Sequence, residues 1–191
     1  AKEQAMLKII ERELDEGRNV IVFAWHTALV ERYARLCQDV GRTVTLHADK
    51  VPTHKREAWI DKEVVGRGAR ILVVNSSTVQ TGLNNLVYFS SAIWMENPHC
   101  DATIVRQANG RIDRIGQERE VRIWNMIYSD ALGMQSKCQD LLTAKIAVAT
   151  AIDGLDASAA LSMAGGGTGA QAALAALNMG KALFECMSEE E

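Results

Sequence analysis

No two cysteines in this chain stand close enough in sequence to suggest a metal module or a disulfide scaffold. Cys37, Cys100, Cys138 and Cys186 are scattered through 191 residues without a C-x-x-C pair, a usage that argues against a zinc site and fits a reducing interior. Long apolar runs are missing too. No stretch approaches the roughly 18 uninterrupted apolar residues of a membrane span, and the opening Ala1–Met6 segment has no signal-peptide apolar core. The expectation is a soluble, intracellular protein with no membrane partner, in the cytoplasm or nucleoid of a prokaryote or phage, or the nucleus of a eukaryote. An excess of positive charge is also lacking: 21 basic residues face 24 acidic ones, for a net charge of −3. A general nucleic-acid binder is strongly basic, so any nucleic-acid contact here must be local. The chain has neither a G-x-x-x-x-G-K-[ST] phosphate loop nor an acidic magnesium-binding box, and no G-x-G-x-x-G fingerprint. Those absences argue against a self-contained nucleotide hydrolase and against a dinucleotide-binding domain.

What is present is a composition that builds a core. Hydrophobic side chains make up 48% of the residues, enough for one well-buried core and a small appendage. The first residue is alanine, compatible with methionine removal or with a piece of a longer chain. Ala5, Met6, Ile9, Ile10 and Leu14 recur at helical spacing up to Gly17, which predicts an amphipathic helix over 2–16. Asn19–Ala24 is a continuous β-branched and aromatic run, the kind covered on both faces of a parallel sheet. Thr27 is the expected cap of a helix whose apolar face is Leu29, Val30, Tyr33, Leu36, Cys37 and Val40. Thr43–Leu46 reads as a second strand, 53–65 as a helix with Ala58, Trp59 and Val65 inward, and 71–74 as a central third strand.

This alternation predicts an α/β fold, a mostly parallel sheet with right-handed crossovers and helices on both faces. A polar loop over 75–85 follows at the carboxyl edge of the sheet, where loops tend to carry function. Residues 92–95 and 121–127 read as further strands, Pro98 as a break between them, and 132–152 as a helix. Ala164–Gly169 reads as a flexible spacer and 171–187 as an alanine-rich terminal helix. The expected organisation is one lobe over 1–154 and a linker with a helical extension over 155–191.

One stretch stands apart: Gln107-Ala-Asn-Gly-Arg-Ile-Asp-Arg-Ile-Gly-Gln117. Asp101 as N-cap and Gly116 just past the end would bound a helix carrying Gln107, Arg111 and Arg114 on one face, with Ala108, Ile112 and Ile115 on other sides. Gly110 leaves room for close approach to the backbone. Two guanidiniums one turn apart suit an anion with several oxygens, because each can donate paired N–H bonds that lysine cannot copy.

That string resembles motif VI of superfamily 2 helicases, in the form carried by Snf2-like ATP-dependent DNA translocases. The likeness extends from about Lys2 to Gly154. Val20–His26 is similar to motif IV, in which a strand ends near a histidine. Asp49 and Arg56 stand where the family has an Asp-Gly turn and the arginine of the next helix. Asn75-Ser76-Ser77 and Gly82-Leu83-Asn84 resemble motif V. The chain departs from the family at Val79 and Gln80, which replace a glycine pair, at Ala48, which replaces a glycine, and in the spacing between motifs V and VI.

The resemblance implies the second, C-terminal RecA-like lobe of a P-loop NTPase-like motor, with a C-terminal helical extension. It implies Arg114 as an arginine finger, Arg111 as its partner on the phosphates and Gln107 as an orienting group. Gly82, Asn84 and Gly110 would line the nucleotide, and Asn75, Ser76, Ser77 and His26 would meet a nucleic-acid backbone. ATP and Mg²⁺ would be held mainly by an N-terminal RecA-like lobe of the same protein, and no metal ligand is expected from this chain. The expected track is double-stranded DNA, followed rather than unwound. Alone, the chain is expected neither to hydrolyse ATP nor to bind DNA tightly. The alternative is a stand-alone, non-catalytic RecA-like binding or scaffolding domain.

Overall fold

The computed structural model describes residues 1–79, 83–96, 101–128 and 134–152. The residues up to 96, with 104–127, form one compact unit that contains the whole sheet; residues 101–103 and those after 127 belong to a second unit. Pro98, Cys100, Gly82, the expected boundary after 154, the 164–169 spacer and the 171–187 helix lie outside the described residues. Among the described residues no helix is long and apolar enough to cross a membrane.

The first unit is organised on β1 (Val20–Ala24), whose five residues are all buried. It pairs with β3 (Ile71–Asn75) on one side and β4 (Ser91–Trp94) on the other. β2 (Thr43–Leu46) and β5 (Arg122–Asn125) complete a five-stranded sheet in the order β2-β3-β1-β4-β5, parallel throughout. The expectation of an α/β fold is met, and among the described residues every strand pairing is parallel.

Side chains of β1 alternate between two cores because a strand repeats every two residues. Val20, Val22 and Ala24 pack with Met6 and Ile10 of α1 (Lys2–Asp15) and with Val30, Tyr33, Ala34 and Cys37 of α2 (Thr27–Gln38). Ile21 and Phe23 face the other way, and Phe23 meets the Trp94 ring at 4.5 Å between centroids. The Trp94 Nε1 donates to Asn109 Oδ1 at 3.0 Å, which sets α4 (Ala102–Ile112) against this second face. The chain moves from β1 outward to β2, then back inward to β3. Right-handed crossovers taken in opposite directions put their helices on opposite faces.

Two helical expectations need correction. Thr27 is the first residue of α2 rather than its cap; His26 is the cap, with an extended backbone (φ −88, ψ 125) and no side-chain cap bond. The predicted helix over 53–65 is continuous but changes its winding. A 3₁₀ turn (Thr53–Lys55) leads into α3 (Arg56–Trp59), and the ladder then widens to a π-type turn (Ile60–Val65). Its buried residues are Arg56, Ile60 and Val64, while Ala58 is exposed and Val65 is 43% exposed. The reason is Arg56: its guanidinium donates to the Val51 carbonyl at 3.2 Å and the Thr78 carbonyl at 2.7 Å, so that side of the helix must face inward.

At the amino edge of the sheet an ion network joins α1 to β4 and β5. Glu13 is fully buried; its Oε2 accepts from the Ser91 hydroxyl at 2.6 Å and pairs with Arg18 Nε at 3.0 Å. Arg18 also donates to the Ser90 carbonyl at 2.5 Å and to the Glu120 carbonyl. Arg122 reaches Glu13 Oε1 at 3.4 Å and Glu16 Oε2 at 2.5 Å. In the second unit, Gln135 of α5 (Met134–Ile152) accepts the Tyr128 N–H on Oε1 at 2.9 Å.

Burial alone would push the Glu13 carboxyl up, but the Ser91 hydroxyl and the Arg122, Arg12 and Arg18 charges outweigh it and hold it below its ordinary value. A carboxyl depressed on folding stabilises the native state above the unfolded value, about pH 4.3, and that contribution is lost as pH falls through the folded value. Urea titrations from pH 7 to 3 should therefore show an acid loss of stability that shrinks in Glu13→Gln. Glu13→Ala should cost about 3–5 kcal/mol at pH 7, because Arg18 is left charged, buried and without its carboxylate. Burial also pushes the Cys37 thiol up to about 12. Native Cys37 should resist an aromatic disulfide reagent at pH 8 and react only on unfolding, as mass mapping of the labelled peptides would reveal.

Candidate functional site

All five strands are parallel, so their carboxyl ends share one edge. Three side chains stitch that edge together. Glu96, just past β4, accepts the Trp25 N–H at 2.9 Å on Oε2 and the Tyr33 hydroxyl on Oε1, joining the ends of β1 and β4 to α2. Asn75 closes β3 against β1 by donating from Nδ2 to the Trp25 carbonyl at 2.5 Å. Its Oδ1 accepts from the Ser77 N–H at 2.9 Å and the Ser77 hydroxyl at 2.5 Å, an Asx-type turn that starts the 3₁₀ turn Ser76–Val79. Arg56, from beneath, holds the Thr78 carbonyl of the same turn.

Part of the predicted loop is therefore internal. Ser76, Thr78 and Val79 are buried, and the enclosed Ser76 hydroxyl has no hydrogen-bond partner among the described residues. Ser77 is exposed, as is His26 at the end of β1, and Asn75 is half-buried. Of the four residues expected to meet nucleic acid, His26, Asn75 and Ser77 come together on this edge. Ser76 points into the protein.

The arginine stretch lies elsewhere. β4 and β5 are parallel neighbours, so α4 between them must run back from the carboxyl edge toward the amino edge. Asp101 caps it as expected, accepting the Thr103 N–H at 2.9 Å. Val105, Ala108 and Ile112 are its buried face. Gln107 and Gly110 are exposed, and a Cβ placed on Gly110 would meet nothing within 4 Å. Arg111 is half-buried.

The helix stops earlier than predicted, and this changes the place of Arg114. α4 ends at Ile112, and the next residues form a turn closed by the Gln117 N–H on the Arg114 carbonyl at 2.9 Å. Gly116 sits in that turn at φ +101, a conformation suited to glycine. Arg111 is thus on the helix, whereas Arg114 opens the following turn. Ile115, predicted on a helix side, is fully exposed at 100%. The turn leaves the ladder because the Gln117 side chain captures carbonyls beyond it: Nε2 lies 3.0 Å from Val87 O, 2.9 Å from Phe89 O and 3.3 Å from Ile112 O.

Arg114 Nη1 donates to Asn84 Oδ1, so two segments thirty positions apart in sequence, both expected to line a nucleotide, meet through their side chains. Asn84 is itself fixed: its N–H donates to Glu57 Oε1 at 2.7 Å. Neighbouring Asn85 donates to the Glu57 carbonyl and to Asp61 Oδ1, both at 2.8 Å. Glu57 and Glu96 were not singled out from sequence, and Gln117 was named only as the last residue of the arginine stretch; spacing alone could not have found Glu57, whose partner lies 27 residues away.

These donors fit an anion with several oxygens. Arg114 is exposed and bonded to a neutral amide, so its charge is not cancelled within the pair. Among the described residues no group of three His, Cys, Asp or Glu side chains is arranged to hold a metal ion.

No model of a known protein family matches the chain, and no curated protein matches it by sequence. Among solved structures, the crystal structure of the C-terminal part of the Fun30 ATPase domain is similar, with a TM-score of 0.65 at 22% sequence identity. The match covers 74% of this chain and 44% of that one, so the chain spans less than half the length of this neighbour. At that identity the likeness is one of fold: a RecA-like α/β lobe with a parallel sheet flanked by helices.

Gln117→Ala should free the turn after α4. Removing the amide leaves the Val87 and Phe89 carbonyls without this donor and should cost about 1–3 kcal/mol in urea unfolding. The 113–117 amides should exchange faster with deuterium than in the wild type.

Proposed function

We propose that this chain is the C-terminal RecA-like lobe of a Snf2-like, ATP-dependent translocase, and that it supplies arginines to a nucleotide held by a facing N-terminal lobe. The observation that carries this reading is the Arg114–Asn84 pair. It brings the segments resembling motifs V and VI together around an exposed guanidinium, on a fold that the neighbouring ATPase domain shares. A neutral hydrogen-bond partner suits an arginine that must later meet a phosphate, since an internal carboxylate would compete for the same charge.

In this reading Arg114 donates to the terminal phosphate as negative charge builds on it, and Arg111 and Gln107 steady the same group from α4. The open backbone at Gly110 borders the nucleotide, and Asn84 holds Arg114 beside it. The facing lobe provides the phosphate loop and the magnesium ligands; the ion, when bound, neutralises phosphate charge. His26, Asn75 and Ser77 form a second contact on the carboxyl edge, where hydroxyl and amide groups hold a nucleic-acid backbone without reading its sequence. Ser76 joins them only if its buried turn opens. The track is double-stranded DNA. Separation of the arginine end of α4 from this edge lets closure on ATP move one contact relative to the other.

In the protein that carries both lobes, Arg114→Ala should lower kcat for ATP by about 10³–10⁵-fold, equivalent to roughly 4–7 kcal/mol of barrier, with the urea midpoint unchanged. Arg114→Lys should recover little, because a point charge lacks the paired donors. Wild-type turnover in Arg114→Ala would sink the assignment.

A further inference from the structure

Arg114 follows a carboxylate in sequence, and its partner Asn84 is bonded to another, yet among the described residues Arg114 itself is bonded to neither. Glu57 and Asp61 lie on the helical segment beside Asn84 and Asn85, and Asp113 precedes the arginine itself. Glu57 Oε1 accepts the Asn84 N–H at 2.7 Å, and Asp61 Oδ1 accepts from Asn85 Nδ2 at 2.8 Å. Both carboxylates are engaged by uncharged donors. What reaches Arg114 is the side-chain carbonyl of Asn84.

We propose that Glu57 and Asn84 are positioning residues for Arg114: Glu57 fixes the Asn84 backbone, and the Asn84 carbonyl holds the guanidinium in place without neutralising it. The inference rests on the reading of Arg114 as an arginine finger. It adds a mechanical link from α3 to that arginine, through a loop pinned on its other side by Gln117 at Val87 and Phe89. The chemistry is specific. One amide acceptor occupies one of five guanidinium donors and leaves the rest of the fork for an anion. A carboxylate in the same position would form a two-donor ion pair that the phosphate would have to displace. Asparagine at position 84 is therefore the side chain that orients the arginine while leaving its charge available.

Asn84→Asp, nearly identical in shape, should turn the neutral hydrogen bond into an ion pair. In the two-lobed protein it should lower kcat by about 10²-fold, the scale of a misplaced reacting group. Glu57→Ala should lower kcat in the same way, and Glu57→Gln, which keeps an acceptor for the Asn84 N–H, should recover most of that loss. Placed in an Arg114→Ala background, Asn84→Asp and Glu57→Ala should add no further loss, because both act through the missing guanidinium. Additive losses in that background, or wild-type kcat in Glu57→Ala, would overturn the positioning role while leaving Arg114 as the finger. An independent readout needs only this chain. The Asn84 amide should be protected from hydrogen exchange in the wild type and in Glu57→Gln and should lose that protection in Glu57→Ala; a fast-exchanging Asn84 amide in the wild type would also overturn the proposal.

Discussion

Val20–Ala24 is buried along its whole length and hydrogen-bonded on both sides, so neither its side chains nor its peptide groups meet water. A strand in that position must have parallel partners on both edges and a covering layer on both faces, since every unpaired peptide group or bare apolar face there would carry an uncompensated cost. The rest of the first unit follows from meeting those demands. β3 and β4 supply the partners, α1 and α2 cover one face, and α4 closes the other with Phe23 and Trp94 stacked beneath it. Parallel pairing then forces each connection to travel the length of the sheet. One consequence is that residues far apart in sequence share the carboxyl edge; another is that the end of α4 is carried away from it.

Charged groups are used in two distinct ways. Glu13 is sealed inside and surrounded by Arg18, Arg122 and the Ser91 hydroxyl, an arrangement that fixes the amino ends of β4 and β5 against α1. There the charges compensate one another, and their exposure is not required. Around Arg114 the logic is reversed. Carboxylates are paired with N–H groups, and the arginine is left with an amide carbonyl at the surface. A buried pair gains from mutual neutralisation; a guanidinium bonded to an amide keeps its charge available.

The elements of the fold were legible because they rest on periodicity. The run Val-Ile-Val-Phe-Ala could only be a strand covered on both faces, and Thr43–Leu46 and Ile71–Val74 carried the same signal. Errors arose where a side chain overruled local preference. Arg56 turned its helix so that Ile60 and Val64, not Ala58 and Val65, face inward. Gln117 drew the chain off the α4 ladder before Arg114. The candidate site was legible as a list of residue types, with Arg111, Arg114 and Asn84 named from their motifs. Their division into an arginine turn and a separate His26–Asn75–Ser77 edge was not, because motif order carries no direction in space.

By itself the sequence determined the α/β class, the strands of the central sheet and the apolar face of α2, and it marked the 107–117 stretch as a candidate anion site. Each of these depends on neighbours within a few residues, where spacing and side-chain chemistry suffice. Only the tertiary structure decided that Arg114 leaves its helix, that Ser76 is enclosed while Ser77 is not, and that Glu57 reaches Asn84 and through it Arg114. Those outcomes are set by hydrogen bonds between segments 22 to 50 residues apart, and such bonds exist only once the crossovers have brought the segments together.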